Sequence, residues 1–292
     1  MYKQIAENKR KTIYLIIGFV LLIGVIAGLF AWAYNDVWLA VWVVVIAIVY
    51  AVIQYYAASS LSMVMTGAKE ITKKDNPRFY NIVENLSITT GLPMPKVYII
   101  DDKAPNAFAT GRDPKHASVA ATKGLIDIMN DKELTAVMAH EMSHVKNYDI
   151  RVSMMVFGLV CVVGLISDLA FRMMFYGDRR RNNEGSPVGY VLIVIAGILA
   201  PVFASLAQMA VSRQREYLAD ASAVNITRYP EGMIAALKKL QAQSAPMKSQ
   251  NIATEAMYIN NPLRKGFFSN LFSSHPPLEK RIERLEHGKT NF

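Results

Sequence analysis

The sequence is poor in cysteine and in charged residues. Its 292 residues include one cysteine, Cys161, which lies in an apolar run. A single cysteine excludes an internal disulfide and any metal site built on several thiolates, so Cys161 is interpreted as a packing residue. Charged residues make up 19% of the chain and hydrophobic residues 52%, a balance that argues against a wholly soluble protein.

Charge is absent altogether from two neighbouring segments near the start of the chain. Residues 12–35 contain no charged side chain, and 24 residues at 1.5 Å each form a helix about 36 Å long, enough to cross a hydrocarbon core of about 30 Å. A second uncharged segment covers 37–68, and only Asp36 separates the two. We predict a transmembrane hairpin over 1–68, with spans at about 13–34 and 38–60. The first span is too long, and too closely followed by the second, for a cleaved signal peptide.

Lysine and arginine orient this hairpin. Basic residues lie before the first span and after the second, whereas the short turn has none: Lys3, Lys9, Arg10 and Lys11 precede it, and Lys69, Lys73, Lys74 and Arg78 follow. The positive-inside rule therefore predicts a cytoplasmic N-terminus and a cytoplasmic segment over 69–151. Basic residues beside the spans favour the lipid bilayer as a partner and account for much of the net charge of +9. No motif indicates nucleic-acid binding.

A second hydrophobic hairpin is predicted over 152–212, with runs at about 152–171 and 188–211. The first of these runs is weak, because it is uncharged for only 16 residues before Asp168 interrupts it. The loop between the runs is basic and would lie on the outer face if both runs crossed the bilayer, against the positive-inside rule. Whether this hairpin spans fully is left open. As a pair, the runs return the chain to the side that it left.

Two segments have the pattern of soluble structure, 69–151 and 213–292. In the first, apolar spacing predicts a helix over 76–90, and β-branched or aromatic residues predict short strands at 96–100, 106–111 and 116–122. In the second, helices are predicted at 213–225 and 232–243, and a closing amphipathic helix over 276–288. A further helix, 130–147, has Asn130 as its predicted N-cap, with Glu133 placed to complete a capping box.

This last helix carries the sequence "HEMSH", with His140 and His144 four residues apart and Glu141 beside the first. Positions i and i+4 share one face of a helix, so both imidazoles could bind one ion, and zinc is well suited to them. Glu141 could then take a proton from a metal-activated water. The alternative is that both histidines are hydrogen-bonded core residues.

A catalytic zinc site needs a third protein ligand. "EYLAD" follows the second hairpin directly and places Glu216 and Asp220 on one helical face, where Glu216 could bind the metal and Asp220 could hold a ligand histidine. The alternative for this pair is a solvent-exposed acidic face. Other candidates for the third ligand are Asp149, Glu231 and His275.

Taken in order, "PNAFATG", "HEMSHVKNYD", "SRQREYLADASA" and "SSHPPLEKRI" closely resemble the HtpX-type membrane zinc metallopeptidases, gluzincins related to the CAAX prenyl endopeptidases. The resemblance extends over essentially the whole chain. It implies a mostly helical α+β fold, in which transmembrane hairpins are joined to a zincin-like domain with a small sheet. It also implies one Zn²⁺ per chain, with His140, His144 and Glu216 as ligands, Glu141 as the catalytic glutamate and Asp220 as their supporting aspartate.

The resemblance implies further roles outside the ligand set. The segment Asn106, Ala107, Phe108 and Ala109 would be an edge strand that holds an extended substrate by strand addition. His275 would help to stabilise the tetrahedral intermediate; alternatively, it is a loop histidine that simply precedes two prolines. For Asp149 we favour a structural role, such as capping the next helix.

We therefore expect a zinc endopeptidase of the bacterial cytoplasmic membrane. Its polypeptide substrates would be membrane or misfolded proteins, cleaved at the cytoplasmic face in protein quality control and stress response, as the resemblance implies. One alternative is a prenyl-protein peptidase, although the sequence shows no large intramembrane chamber. The other is a zinc-binding membrane scaffold in which Glu141 has no chemical role.

Overall fold

A computed structural model describes residues 2–159, 161, 213–243, 245–248, 257–260 and 276–288. Most of the predicted second hairpin, including its basic loop, lies outside the described residues, and so does His275.

Two long helices pack against each other at the start of the chain, α1 (Tyr2–Tyr34) and α2 (Val37–Met65). The turn between them places Asn35 at φ 50°, and the Asp36 side chain accepts a hydrogen bond from Trp38 N at 2.9 Å, which caps α2. Each helix contains a stretch long and apolar enough to cross a membrane. Large apolar side chains point outward from both, with Trp32 and Trp38 each 72% exposed. Such a surface fits lipid rather than water.

A four-stranded mixed sheet follows, formed by β1 (Ala68–Glu70), β2 (Lys96–Ile100), β3 (Ala107–Gly111) and β4 (Ala117–Thr122). Its strand order is β1-β2-β4-β3. The pair β2–β4 is parallel, and the other two pairs are antiparallel. The three predicted strands are confirmed, and β3 lies at an edge of the sheet. The strand β1 was not predicted because three residues carry no recognisable alternation.

The remaining helices are α3 (Pro77–Thr90), α4 (Lys123–Ile128), α5 (Asp131–Lys146), α6 (149–159), α7 (Arg213–Thr227), α8 (Pro230–Ala242) and α9 (Leu278–Gly288). A 3₁₀ turn, Pro114–His116, precedes β4. The mostly helical α+β fold class is confirmed.

The helix α5 lies between β3 on one side and α3, α7 and α8 on the others. The predicted capping box is present: Asn130 Oδ1 accepts from Glu133 N at 3.0 Å, and Glu133 Oε2 accepts from Asn130 N at 2.8 Å. Lys239 of α8 donates to the same Glu133 oxygen at 2.6 Å. Apolar side chains on several sides of α5 are fully buried, so the prediction of a buried helix is confirmed.

The sheet separates two apolar clusters. Ala107, Val119 and Ala121 face α3 and α5, whereas Phe108 and Ala120 belong to the cluster on the opposite face. That second cluster includes Ala58 and Met63 of α2, Met154 and Phe157 of α6, and Tyr258, and Cys161 packs against it as its apolar surroundings indicated. This face of the sheet therefore packs directly against the end of α2.

Candidate metal centre

Two helices bring three predicted ligands together. His140 and His144 lie one turn apart on α5 with their Nε2 atoms 3.2 Å apart. Glu216, in the first turn of α7, approaches both: its Oε2 is 3.6 Å from His140 Nε2, and its Oε1 is 3.5 Å from His144 Nε2. Among the residues that the structure describes, these three form the one group with the spacing of metal ligands.

These separations fit one zinc ion. Ligands at about 2.0–2.1 Å from zinc in a tetrahedron lie roughly 3.3–3.4 Å from one another. The two Nε2 atoms are 3.2 Å apart, and each is close to this distance from its nearer Glu216 oxygen, with His140 Nε2 at 3.6 Å from Oε2 and His144 Nε2 at 3.5 Å from Oε1. Two imidazole nitrogens and one carboxylate are also a common donor set of catalytic zinc sites.

One side of the cluster, which we call the inner side, consists of buried polar contacts among His140, Asp220 and Arg281. His140 Nδ1 lies 3.0 Å from Asp220 Oδ1. Arg281 of α9 donates to both oxygens of Asp220, from Nε at 2.8 Å and from Nη2 at 2.6 Å. Such a two-pronged contact fixes the carboxylate, and the carboxylate in turn holds the histidine ring with Nε2 toward the cluster. His140, Asp220 and Arg281 are all less than 3% exposed.

The opposite side, which we call the outer side, is built around Asp149, a residue close to α5 in the sequence. His144 Nδ1 lies 3.0 Å from Asp149 Oδ2, and Arg215 Nη1 of α7 lies 3.5 Å from Asp149 Oδ1. Tyr148 adopts a left-handed conformation, with φ 60°, which turns the chain between α5 and α6. This conformation is uncommon for a residue with a side chain. The side chain of His144 is 15% exposed, so this is the more open side of the cluster.

The electrostatic surroundings favour a cation. Burial lowers the pKa of His140, but hydrogen bonds to Asp220 and Glu216 outweigh it and raise the pKa to about 9. Burial acts to raise the pKa of Asp220, but Arg281 and His140 together bring it below its ordinary value. Four carboxylates lie in or beside the cluster, Glu141, Asp149, Glu216 and Asp220, against the guanidinium groups of Arg215 and Arg281. One divalent cation would balance these charges.

Glu141 occupies the position on α5 next to His140 and is 2% exposed. Burial acts to lower the pKa of the Arg281 guanidinium, but the charges of Asp220, Glu216 and, after them, Glu141 raise it. The carboxylate therefore belongs to the same electrostatic unit as the cluster.

The predicted substrate strand has its own internal contacts. Asn106 precedes β3, and its side chain binds the Asn260 backbone twice, donating from Nδ2 to the carbonyl at 2.8 Å and accepting from the amide at 3.1 Å. Ala107 O accepts from Ile259 N at 3.0 Å, and the Phe108 ring packs edge-on against Tyr258, with centroids 4.9 Å apart.

The backbone of Ala109 is directed to the open edge of the sheet. The Asn106 carbonyl accepts from Thr122 N of β4, and in an antiparallel pair such contacts alternate along the strand. The backbone N–H and C=O groups of Phe108 and Thr110 therefore form hydrogen bonds with β4. Those of Ala109 point toward the outer edge of the sheet.

The structure also bears on the alternatives for the acidic residues. Glu216 and Asp220 are buried, so the interpretation as a solvent-exposed acidic face is wrong. Asp149 contacts the far nitrogen of His144 rather than the centre of the cluster. Glu231 is exposed in the first turn of α8.

Arg281 is the residue of the cluster that the sequence prediction missed. Its signal was present: the apolar face of α9 is set by Leu278, Ile282 and Leu285, and Arg281 falls on that face three residues after Leu278. A charged residue on the buried face of an amphipathic helix indicates a buried partner.

Known proteins resemble the chain over its full length. The pattern of peptidase family M48 matches residues 73–289. A protein named Protease HtpX homolog from Tropheryma whipplei (strain Twist) is 51% identical over 292 residues, which is 100% of both chains. Proteins of the same name from Streptococcus uberis and Ligilactobacillus salivarius are 47% and 45% identical, each over 98% of this chain and 99% of their own.

One solved structure shares the fold. The crystal structure of S. mikatae Ste24p superimposes with a TM-score of 0.53, covering 98% of this chain and 67% of that one, at 19% sequence identity. At this identity the likeness concerns the fold alone.

Proposed function

Because the chain belongs to peptidase family M48 and is a metalloendopeptidase of membranes, we propose that its metal is zinc and that His140, His144 and Glu216 hold it. The observation that carries this proposal is that the two imidazole Nε2 atoms lie 3.2 Å apart and that each lies within 3.6 Å of one oxygen of the same Glu216 carboxylate. When bound, zinc supplies Lewis acidity, which lowers the pKa of water toward about 7 and polarises a carbonyl.

Glu141 is the proposed general base. Its carboxylate accepts a proton from the water that attacks the scissile carbonyl and passes that proton to the leaving amine. Because Glu141 is buried beside His140, its carboxylate is shielded from bulk water, and this limits the loss of the proton to solvent.

Asp220 and Asp149 hold the two imidazoles. A carboxylate at Nδ1 fixes the proton on that nitrogen and leaves Nε2 with its lone pair directed to the cluster. Both aspartates therefore act as positioning residues rather than as ligands, and this assignment replaces a purely capping role for Asp149.

Substrate binding is proposed at the open edge of β3. An extended peptide would pair with the outward backbone groups of Ala109, as in strand addition to other sheets. Asn106 and Ala107 support this edge through their contacts with the Asn260 segment. His275 is retained as the proposed group that stabilises the tetrahedral intermediate.

We place the site at the cytoplasmic face of the bacterial cytoplasmic membrane, with membrane or misfolded proteins as substrates in quality control. The basic residues on both flanks of the first hairpin support this orientation. The predicted division into 1–68, 69–151, 152–212 and 213–292 follows from it. A topology reporter inserted at 179–183 tests the second hairpin: an external signal is expected if both of its runs span, and a cytoplasmic signal would contradict full spans.

The substitution Glu141→Gln tests the mechanism. It keeps the size and polarity of the side chain but removes the base, so cleavage of unfolded casein by the purified full chain should fall at least about 100-fold. Zinc content, measured by mass spectrometry, should stay at one per chain. Undiminished cleavage with zinc retained would contradict the mechanism and favour a scaffold role for the metal.

A further inference from the structure

Two adjoining pockets lie at the end of α2, away from the metal centre. The first, which we call the basic pocket, has a volume of about 270 Å³ and lies between α2 and the sheet. Its polar lining includes Tyr55, Tyr56, Ser59, Lys96, Arg112 and Lys115.

The second, which we call the apolar groove, has a volume of about 390 Å³ and lies among α1, α2 and α6. Its walls are almost entirely apolar, with Val20 from α1, Val52 from α2 and Leu159 from α6. Tyr55, Tyr56 and Met154 line both pockets. The two therefore form one depression that is apolar at one end and cationic at the other.

The charge of the basic pocket is positive. Among the residues that the structure describes, its lining contains Lys96, Arg112, Lys115 and His116 and no acidic side chain. Glu70 lies outside the lining and contacts Lys96 at 3.2 Å. Asp113, also outside, contacts His116 at 2.8 Å and Arg112 at 3.7 Å. Two carboxylates thus face three permanent cations and a histidine, which leaves an excess of positive charge for an anion.

Arg112 is held in place for such a contact. Its guanidinium carbon lies 5.2 Å from the centre of the Tyr56 ring, and its carbonyl accepts from Arg151 Nε at 2.8 Å. A guanidinium stacked on an aromatic ring loses little further freedom when it binds a phosphate through its edge.

The aromatic residues of α2 indicate at which level of the bilayer the basic pocket lies. Trp38 and Tyr56 are 72% and 63% exposed, and their separation of 18 positions corresponds to about 27 Å of helix. Tryptophan and tyrosine concentrate at the two membrane interfaces, which are about 30 Å apart. Tyr56 and the basic pocket beside it therefore lie at headgroup level, and the apolar groove lies at the level of the acyl chains.

We propose that this depression binds one anionic phospholipid, with its phosphate in the basic pocket and an acyl chain in the apolar groove. The positive charge of the basic pocket favours an anionic headgroup. Tyr55, Tyr56 and Met154 line both pockets and would contact the lipid between its phosphate and its acyl chain. The site is separate from the metal cluster, and the proposal does not depend on the protease mechanism.

The test measures phosphatidylglycerol bound per chain by native mass spectrometry of the full chain in detergent. The wild type should retain one phosphatidylglycerol in preference to phosphatidylcholine. The double variant Arg112→Gln/Lys115→Gln should bind it roughly tenfold to thirtyfold more weakly, since each basic side chain at the membrane surface contributes to anionic lipid binding. The matched control, Lys73→Gln/Lys74→Gln, removes the same charge from the same flank outside the pocket and should stay within about twofold.

A second pair of variants tests the groove. Val52→Trp fills it and should weaken binding, whereas Val45→Trp, on another part of the exposed surface of α2, should not. Soluble glycerol phosphate should not displace the lipid. The thermal unfolding temperature of each variant in detergent reports that the chain is folded.

Four results would overturn the proposal. Equal binding of phosphatidylcholine, or an equal loss in the Lys73/Lys74 control, would mean only general attraction to the membrane surface. Displacement of the lipid by glycerol phosphate alone would mean a phosphate site without a role for the groove. Equal displacement of the lipid by an uncharged transmembrane peptide from the wild type and from Arg112→Gln/Lys115→Gln would mean that the groove binds substrate rather than lipid.

Discussion

His140 and His144 present the same nitrogen to the same centre from successive turns of α5, but the two sides of the cluster are supported differently. His140 depends on residues from α7 and α9, far away in the sequence, and its support is completely buried. His144 depends first on Asp149, five residues later, and is partly open to solvent. The difference shows how a metal site can be rigid on one side and accessible on the other.

The two sides should also differ in how much they contribute to the stability of the fold. On the inner side, three charged or titratable groups are out of contact with water, so each depends on the others for compensation. On the outer side, solvent can replace part of a lost contact. We expect substitutions of the inner side to affect stability and metal binding together, and those of the outer side to affect mainly metal binding.

The largest effect is expected from Glu216→Ala, because Glu216 joins the two sides. Zinc content should fall from one per chain to near zero, and cleavage should fall with it, since two histidines alone rarely hold catalytic zinc. Glu231→Ala is the matched control, an exposed glutamate in the first turn of the next helix. Retention of zinc in Glu216→Ala would mean that Asp149, Glu231 or His275 supplies the third ligand, and loss of zinc in Glu231→Ala would point to Glu231.

The next effect is expected from Arg281→Met, which removes the positive end of the inner side. Asp220 would then be buried without its two-pronged partner, a change that costs about 3–5 kcal/mol in the free energy of unfolding. Thermal unfolding in detergent measures this loss. Arg284→Met is the control on the same helix, where the guanidinium stacks on Tyr217 at 4.3 Å, and it should cost about 1 kcal/mol or less. Equal losses in the two variants would contradict a special role for Arg281.

The smallest effect, and the most direct contrast, is between Asp220→Asn and Asp149→Asn. Each weakens the hold on one histidine, so zinc affinity, measured by competition with a chelator, should fall about 10–100-fold. Asp220→Asn should also lower the unfolding temperature, because it leaves Arg281 buried without its carboxylate. If Asp149→Asn destabilised the fold as much as Asp220→Asn, the distinction between the two sides would be wrong.

Much of this architecture was predictable because it is encoded locally. The helix α5 carries its own start signal in Asn130 and Glu133, and the two histidines follow from spacing within it. The uncharged segments define α1 and α2 by length alone. The edge position of β3 was indicated by the alternation of small and apolar residues in 106–111 and by the resemblance of "PNAFATG" to a known family.

The parts that sequence reasoning missed depend on contacts between distant residues. Arg281 lies 61 positions after Asp220, and nothing local to either residue identifies the other as its partner. The contact of Asp149 with His144 follows a left-handed turn at Tyr148, a residue type that seldom adopts that conformation. The strand β1 exists because it pairs with β2, not because its three residues favour a strand.

The central claim is that one zinc ion lies among His140, His144 and Glu216. The most direct measurement is an anomalous difference map, collected at the zinc absorption edge from crystals of the full chain. A single peak is expected about 2.0–2.2 Å from Nε2 of both histidines and from a carboxylate oxygen of Glu216. A peak bound to Asp149 or Glu231 in place of Glu216, or no peak at this cluster in an active preparation, would contradict the account.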